Sequence, residues 1–422
     1  MGGTNNRGTG TSRRTALKTL GAAGVAGLTG LSGCLGGLGG GGGGTDTLTV
    51  GYTTSLSGPF AVFGESALDG AKLAVEDLKD ELGVDIEIKT GDTKLEPSTG
   101  VSRMKKLVTE DGADFTMGAV SSSVALKMGE WASQNEVVYF PTGAHSDALT
   151  GSGCSKYVFR PTTSNSMLAA TIGEEMANQA DNWYLLYSDY SWGQTAQAAV
   201  TRILESQGKT VVGKSATPFP NDDYAPYLNE AKSADADGIG MLVAGLDLRK
   251  ATNQLLAKGM HEDHVLAMHQ LEDAVYNDKK AASVLDAAGQ VWGPGVDNSA
   301  SNDFATRVAE NSETSPYVRH YLGYVSMDQA VRAAVRADSS GAEEMRSALE
   351  GHEVTSPAKD IKGGEKMYWR EGDHQLIQPT FSMEALPEGD MQDDPYKRWF
   401  TATKTFAGDD VARSVADTGC SF

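Results

Sequence analysis

The sequence predicts an α/β protein made of two doubly wound lobes with a ligand cleft between them. Three observations lead there. Apolar residues first alternate at strand spacing and then recur at helical spacing, in turn, along the chain. That alternation runs from about residue 47 to 140 and begins afresh near residue 183. The chain has 422 residues, enough for two or three domains. Strands that alternate with helices pair in parallel and are covered on both faces.

The first unit opens with "TLTVGYT" (47–53), where Leu48, Val50 and Tyr52 share one strand face. In "ESALDGAKLAVEDLKDEL" (65–82), Leu68, Ala71, Val75, Leu78 and Leu82 recur every three or four residues, as on one side of a helix. "DIEIKTGDT" is the next strand, and Val101, Met104 and Val108 mark a second helix. "DFTMGAV" (114–120) is a strand, residues 122–134 a helix, and "VVYF" (137–140) a strand. The second unit repeats the order: strand "WYLLY" (183–187), helix 193–207, strand "TVVGKS" and helix 222–233 follow. Strand "GIGMLV" (238–243), helix 248–258 and strand "VLAM" (265–268) complete it. Ligands of such sheets bind beyond the carboxyl ends of the strands, which here face the cleft.

The stretch "SRRTALKTLGAAGVAGLTGLSGC" (12–34) precedes this body. Its apolar run, 20–31, is shorter and richer in glycine than a membrane span of about 20 apolar residues. It has almost no polar face that would make it a packed amphipathic helix. A basic start, a short apolar run and small residues before a cleavage point describe a secretory signal, residues 1–33. "SRRTALK" resembles the twin-arginine export motif, with Ala16 where a large apolar residue is usual. "LSGC" resembles a lipobox, which makes Cys34 a lipidated N-terminus, and "GGLGGGGGG" (36–44) a flexible tether. With Cys34 lipidated, Cys154 and Cys420 remain as an even pair in an oxidising exterior and are expected to form a disulfide; two separate buried thiols are the alternative.

The net charge of −20 becomes −24 once the four basic residues of the first 33 are removed. Such a surface repels nucleic acid and anionic lipid, so contact with the membrane is expected through the lipid anchor only. It suits a monomer kept apart from its copies, and a protein adapted to high salt. No CxxC or Cys/His cluster suggests a metal, and no cofactor motif is present. "HEDH" (261–264) reads as a polar turn rather than a metal site. There is no GxSxG elbow, P-loop or GxGxxG after the first strand, so the chain is expected not to be an enzyme. The serine run 121–123 sits at a strand's end leading into a helix, where hydroxyls and free N–H groups make an anion-binding corner.

Four blocks carry a resemblance. They are "SLSGPFAVFGES" (55–66), "MGAVSSSVALKMGEWASQNEVVYFPTGA" (117–144), "DYSWGQ" (189–194) and "YVSMDQAVRAAVRA" (324–337). In this order they resemble the solute-binding proteins of branched-chain amino acid-type ABC transporters, over about residues 47–415. That resemblance implies the type I periplasmic binding protein fold. It also implies an N-terminal lobe of residues 46–161 plus 294–354 and a C-terminal lobe of residues 162–293 plus 355–422.

The family's ligand contacts fall on Phe63, on Ser122 (or Ser121 if the loop differs by one residue), on Thr142 and Ala144, and on Trp192. A strand-end position falls near Leu246 or Asp247, and the acidic partner of an α-ammonium near Gln270 or Glu272. Ala144 stands where a hydroxyl residue is usual, and if the position is Gln270 the charge partner for an ammonium is missing unless Asp247 supplies it. An amide, a urea-like compound or a small carboxylate is then as admissible as an amino acid. The resemblance implies capture by lobe closure and delivery to the permease and ATPase subunits of an importer. The same fold feeding a chemotaxis transducer is the alternative.

Overall fold

A computed structural model describes residues 45–422. The readings made for the leader, Cys34 and the glycine tether lie outside the described residues. The chain runs β1 (Thr47–Thr54), α1 (Ala61–Leu82), β2 (Asp85–Asp92), α2 (Pro97–Thr109), β3 (Phe115–Gly118), α3 (Ser122–Gln134) and β4 (Tyr139–Pro141). The four strands form one parallel sheet in the order β2-β1-β3-β4. The crossover from β1 leads to one side, to β2, and that from β3 to the other, to β4, which opens a crevice beyond the ends of β1 and β3.

α4 (Asn165–Gln179) leads into the second sheet. There follow β5 (Asn182–Ser188), α5 (Ser191–Ser206), β6 (Thr210–Thr217), α6 (Ala225–Ser233), β7 (Gly238–Leu242), α7 (Leu246–Ala257), β8 (Val265–Met268), α8 (Lys279–Ser283) and β9 (Ala287–Gln290). The chain continues through α9 (Ser299–Asn311), α10 (Val318–Ala337), α11 (Ala342–Leu349) and α12 (Pro357–Ile361), then β10 (Tyr368–Trp369), β11 (Leu376–Ile377), β12 (Thr380–Ala385) and β13 (Phe400–Phe406). The second sheet is ordered β13-β12-β9-β8-β7-β5-β6, with β6 through β9 parallel and β12 and β13 antiparallel at one edge. Its switch point lies between β5 and β7.

Every strand and helix expected from periodicity is present within a few residues. The sequence reading did not include α4, β9 or the β12–β13 pair. α4 is buried around most of its girth, from Asn165 through Ala169, so it shows no clean polar face. The strand "AAGQ" of β9 has no β-branched or aromatic residue to mark it.

α1 and α10 cross at two glycines. A Cβ on Gly70 would lie 1.9 Å from the His320 carbonyl oxygen, and one on Gly323 would lie 1.7 Å from the Ala67 carbonyl oxygen. Only glycine lets the two backbones approach this closely.

The chain leaves the first sheet at Val158, which bridges Tyr139, and Arg160 then pairs in parallel with Gln375. The Arg160 side chain is fully buried there; it donates to Gln375 Oε1 and to the Ser146 carbonyl oxygen at 2.6 Å each, and to Thr150 Oγ1. Cys154 and Cys420 are joined in a disulfide with their Cα atoms 5.6 Å apart. "HEDH" is a turn between α7 and β8, with His264 Nδ1 2.9 Å from the Met260 carbonyl oxygen. Among the described residues no cluster of three or more metal-ligating side chains occurs, and no helix is long and apolar enough to cross a membrane.

Candidate functional site

The ends of β1, β3 and β4 meet the ends of β5, β7 and β8 around a cavity. Each contribution follows from a strand end. Phe60 and Phe63 come from the turn after β1 and the start of α1, Val120 from the loop after β3 and Gly143 from the loop after β4. Tyr190 and Trp192 follow β5, Val243 to Gly245 follow β7, and His269, Gln270 and Glu272 follow β8. Arg319 reaches in from the first turn of α10.

The wall is aromatic on both sides. Phe60 stacks on Phe63 with ring centroids 5.6 Å apart and meets Phe219 at 4.9 Å; Tyr190 stacks on Phe219 at 5.3 Å and on Trp192 at 6.0 Å. Gly245 takes φ +63°, and a Cβ there would press on the Phe60 ring at 2.6 Å.

Across this apolar box runs one ion pair. Arg319 donates from Nε to Glu272 Oε2 at 3.1 Å and from Nη2 to Glu272 Oε1, while Nη1 donates to the Gly143 carbonyl oxygen at 2.7 Å. Its guanidinium lies 4.8 Å from the Phe63 ring centre, a cation–π contact. Burial works against the arginine's charge, but Glu272 outweighs it and the net shift is upward. Glu272 Oε1 also accepts from Gln270 Nε2.

His269 packs under Trp192 at 5.1 Å. The Asn165 amide donates to the Trp192 carbonyl oxygen and to Thr195 Oγ1, so its Oδ1 accepts from His269 Nε2 at 3.1 Å. Burial holds the His269 pKa down to about 3, so the ring is neutral.

The structure brings four of the expected residues together on the cavity wall: Phe63, Trp192, Gln270 and Glu272. The others do not line it; Leu246, at the start of α7, is exposed. Ser122 Oγ accepts from the Ser146 N–H at 3.2 Å, and Ser121 caps α3 through its backbone alone. Thr142 Oγ1 donates to the Phe140 carbonyl oxygen and accepts from the Gly118 N–H. The Ala144 carbonyl oxygen accepts from Thr162 Oγ1. Asp247 is fully buried and takes the Asn221 N–H at 2.6 Å, the Tyr224 hydroxyl at 3.2 Å and Lys250 Nζ at 3.2 Å. In both first-sheet loops the residue next in line, Val120 or Gly143, reaches the cavity instead. Sequence reasoning missed Phe60, Tyr190, His269 and Arg319. Phe60 and Tyr190 stand inside blocks already singled out by their aromatics.

A family model described as periplasmic binding protein matches residues 47–390. The chain belongs to the periplasmic binding protein family. It is a binding protein rather than an enzyme. Among curated relatives, a Leu/Ile/Val-binding protein of Rhizobium johnstonii is 23% identical over 357 residues, covering 80% of this chain and 90% of that one. Among solved structures, the leucine-, isoleucine-, valine-, threonine- and alanine-binding protein of Brucella ovis in its closed conformation is 21% identical with a TM-score of 0.76, covering 87% and 97% of the two chains. A solute-binding protein of an ABC transporter from Rhodopseudomonas palustris, in complex with 3,4-dihydroxybenzoic acid, is 18% identical with a TM-score of 0.77, covering 86% and 98%. These likenesses establish the two-lobed α/β fold.

Proposed function

We propose that this chain is the solute-capturing component of an ABC importer. It takes up a small polar molecule between its lobes: a branched-chain or other amino acid, an amide, a urea-like compound or a small carboxylate. The closed form is then recognised by membrane permease and ATPase subunits. The observation that carries this reading is the cavity itself. It sits where the switch points of two sheets face each other, and both sheets contribute rings and polar groups to it. Phe63, Gly143 and Arg319 hold the solute on one side; Trp192, Gln270 and Glu272 close on it from the other. The serines Ser121 and Ser122, with Thr142 and Ala144, support the first-lobe loops from behind.

The lobes in this reading are residues 46–161 plus 294–354 and residues 162–293 plus 355–422. The parallel pairing of Arg160 with Gln375 supports a hinge at the first crossing. Hinge rotation is the common closing motion of such clefts. The protein is placed outside the cytoplasmic membrane, exported by the twin-arginine route, held by lipid on Cys34, and working in high salt as a monomer. The leader sequence and the charge of −20 support this placement.

The test is a solute screen by melting temperature and calorimetry, since a ligand that binds only the folded state raises apparent stability by mass action. The expected result is one-to-one, saturable binding of a small polar solute, with tryptophan fluorescence changing as Trp192 is covered. Reconstitution with the permease and ATPase should give solute-dependent ATP hydrolysis. Turnover of the solute by the protein alone, or no binding across the screen, would overturn the reading.

A further inference from the structure

Within the cavity wall, Gln270 and Glu272 do not offer what an ammonium group needs. The Gln270 amide is oriented by its bond to Glu272: Nε2 donates to the carboxylate, because the reverse orientation would set oxygen against oxygen. Its Oε1 is thereby turned away from Glu272. That oxygen is buried, in a residue 5% exposed, and no protein group donates to it. A buried acceptor without a donor is unfavourable, and a ligand N–H or O–H relieves it.

Glu272 is already neutralised. Both of its oxygens accept from Arg319, and Arg319 is anchored in turn to the Gly143 carbonyl oxygen and the face of Phe63. Among the described residues, Arg319 and Glu272 are the only formally charged side chains on the wall, and their charges cancel. A solute carrying one extra charge finds no free counter-ion on the wall; an anion also meets the negative faces of the rings, and a cation gains ring faces but no carboxylate. A zwitterion that paired both of its charges on this wall would have to split the buried ion pair and give up its two hydrogen bonds.

We propose that Gln270 is the ligand-recognising acceptor of this cleft and that Arg319, by neutralising Glu272, makes it select an uncharged solute with an N–H donor, a small carboxamide or ureide, over free amino acids, simple acids and simple amines. This selectivity presupposes the capture of a small solute proposed above and narrows it to one chemical class.

The test measures affinities of the full chain by calorimetry for matched amide, acid and amine sets on acetyl, isobutyryl, isovaleryl and benzoyl skeletons, with urea and leucine alongside. The expected result is that urea or at least one amide binds tenfold or more tightly than its acid and amine partners and than leucine. Gln270→Met, which keeps the side-chain length and removes the acceptor, should weaken that binding at least tenfold. Arg319→Met should leave Glu272 uncompensated and raise amine affinity at least tenfold; should it fail to fold, Gln270→Met alone decides. An acid, an amine or leucine binding as tightly as any amide overturns the selectivity and leaves the capture reading standing. Undiminished amide binding by Gln270→Met does the same. No binding by any compound counts against both.

Discussion

The crossing of α1 and α10 places Arg319, and it can be tested by a single methyl group. Gly323 lies one turn beyond Arg319 on α10, and a Cβ there would sit 1.7 Å from the Ala67 carbonyl oxygen. Ordinary contact starts at 3.4 Å, so Gly323→Ala requires α10 to move by a further 1.7 Å. The obstructing atom is helix backbone, which cannot rotate aside. The loss should therefore lie near the upper end of overpacking costs, about 3 kcal/mol. A displacement of that size is also enough to take the 2.7 Å bond from Arg319 to the Gly143 carbonyl oxygen out of hydrogen-bonding range. Urea denaturation followed by tryptophan fluorescence measures the first effect and solute calorimetry the second. Gly389→Ala, at a glycine with nothing within 4 Å of the added carbon, is the control and should stay within about 0.5 kcal/mol of the parent. A Gly323→Ala protein with the parent's urea midpoint, slope and solute affinity would refute the claim that this contact positions Arg319.

Three further outcomes follow from buried groups and the crosslink. Cys420→Ser removes a bond that closes 266 residues of sequence, and up to about 5 kcal/mol of stability should go with it; identical urea midpoints with and without reductant would contradict this. Burial lowers the pKa of His269 from 6.5 to about 3 and that of His320 from 6.5 to about 4. The unfolded chain binds these two protons and the fold does not, so stability is fully present above about pH 6.5 and falls as the pH drops towards those folded values. At pH 5 each histidine should account for a loss of about 2 kcal/mol, read from urea midpoints of the parent against His269→Gln and His320→Gln. Asp247→Ala strands the Asn221 N–H and the Tyr224 hydroxyl, while Lys250 keeps its ion pair with Asp222. It should cost about 1–3 kcal/mol with solute affinity unchanged, whereas a tenfold affinity loss at equal stability would make Asp247 a ligand contact.

The layout of the fold was legible because its signals are local. Leu48, Val50 and Tyr52 alternate, Leu68 to Leu82 recur at helical spacing, and each such segment stands where periodicity put it. Elements buried on all sides were not legible, since a helix such as α4 has no polar face to reveal its period. Some of the expected site positions line the cavity and others lie just beside it, for a geometric reason. Beyond a strand's last residue the side chains no longer keep the strand's alternation, so a block can be located while its inward-facing member is off by one. Ser122, Thr142 and Ala144 were the hydroxyl and backbone positions expected to face the cleft, and Val120 and Gly143 face it. Trp192 and Phe63 line the cavity, since an aromatic ring is long enough to reach it from either side of such an offset.

Arg319 carried no signal at all. It lies 47 residues after Glu272, on the opposite side of the cleft, in a helix that is buried from Val318 through Val331 and so shows no charged face. Yet it changes the meaning of the two positions that were found. Glu272 alone would be an ammonium partner, and Gln270 alone would be a loss of that partner. With Arg319 between the lobes, Glu272 becomes the group that orients Gln270, and Gln270 Oε1 is a buried acceptor left without a donor. Gly143 makes this possible in turn. A Cβ at that position would stand 2.8 Å from Arg319 Nη1, where the guanidinium now reaches the Gly143 carbonyl oxygen. A larger residue at 143 would displace the Nη1 end of Arg319 and loosen its hold on Glu272. Gly143→Ala should therefore move the solute preference towards amines even though the new methyl group carries no charge and no hydrogen bond. Unchanged selectivity in a folded Gly143→Ala protein would show that Glu272 is neutralised by something other than this contact.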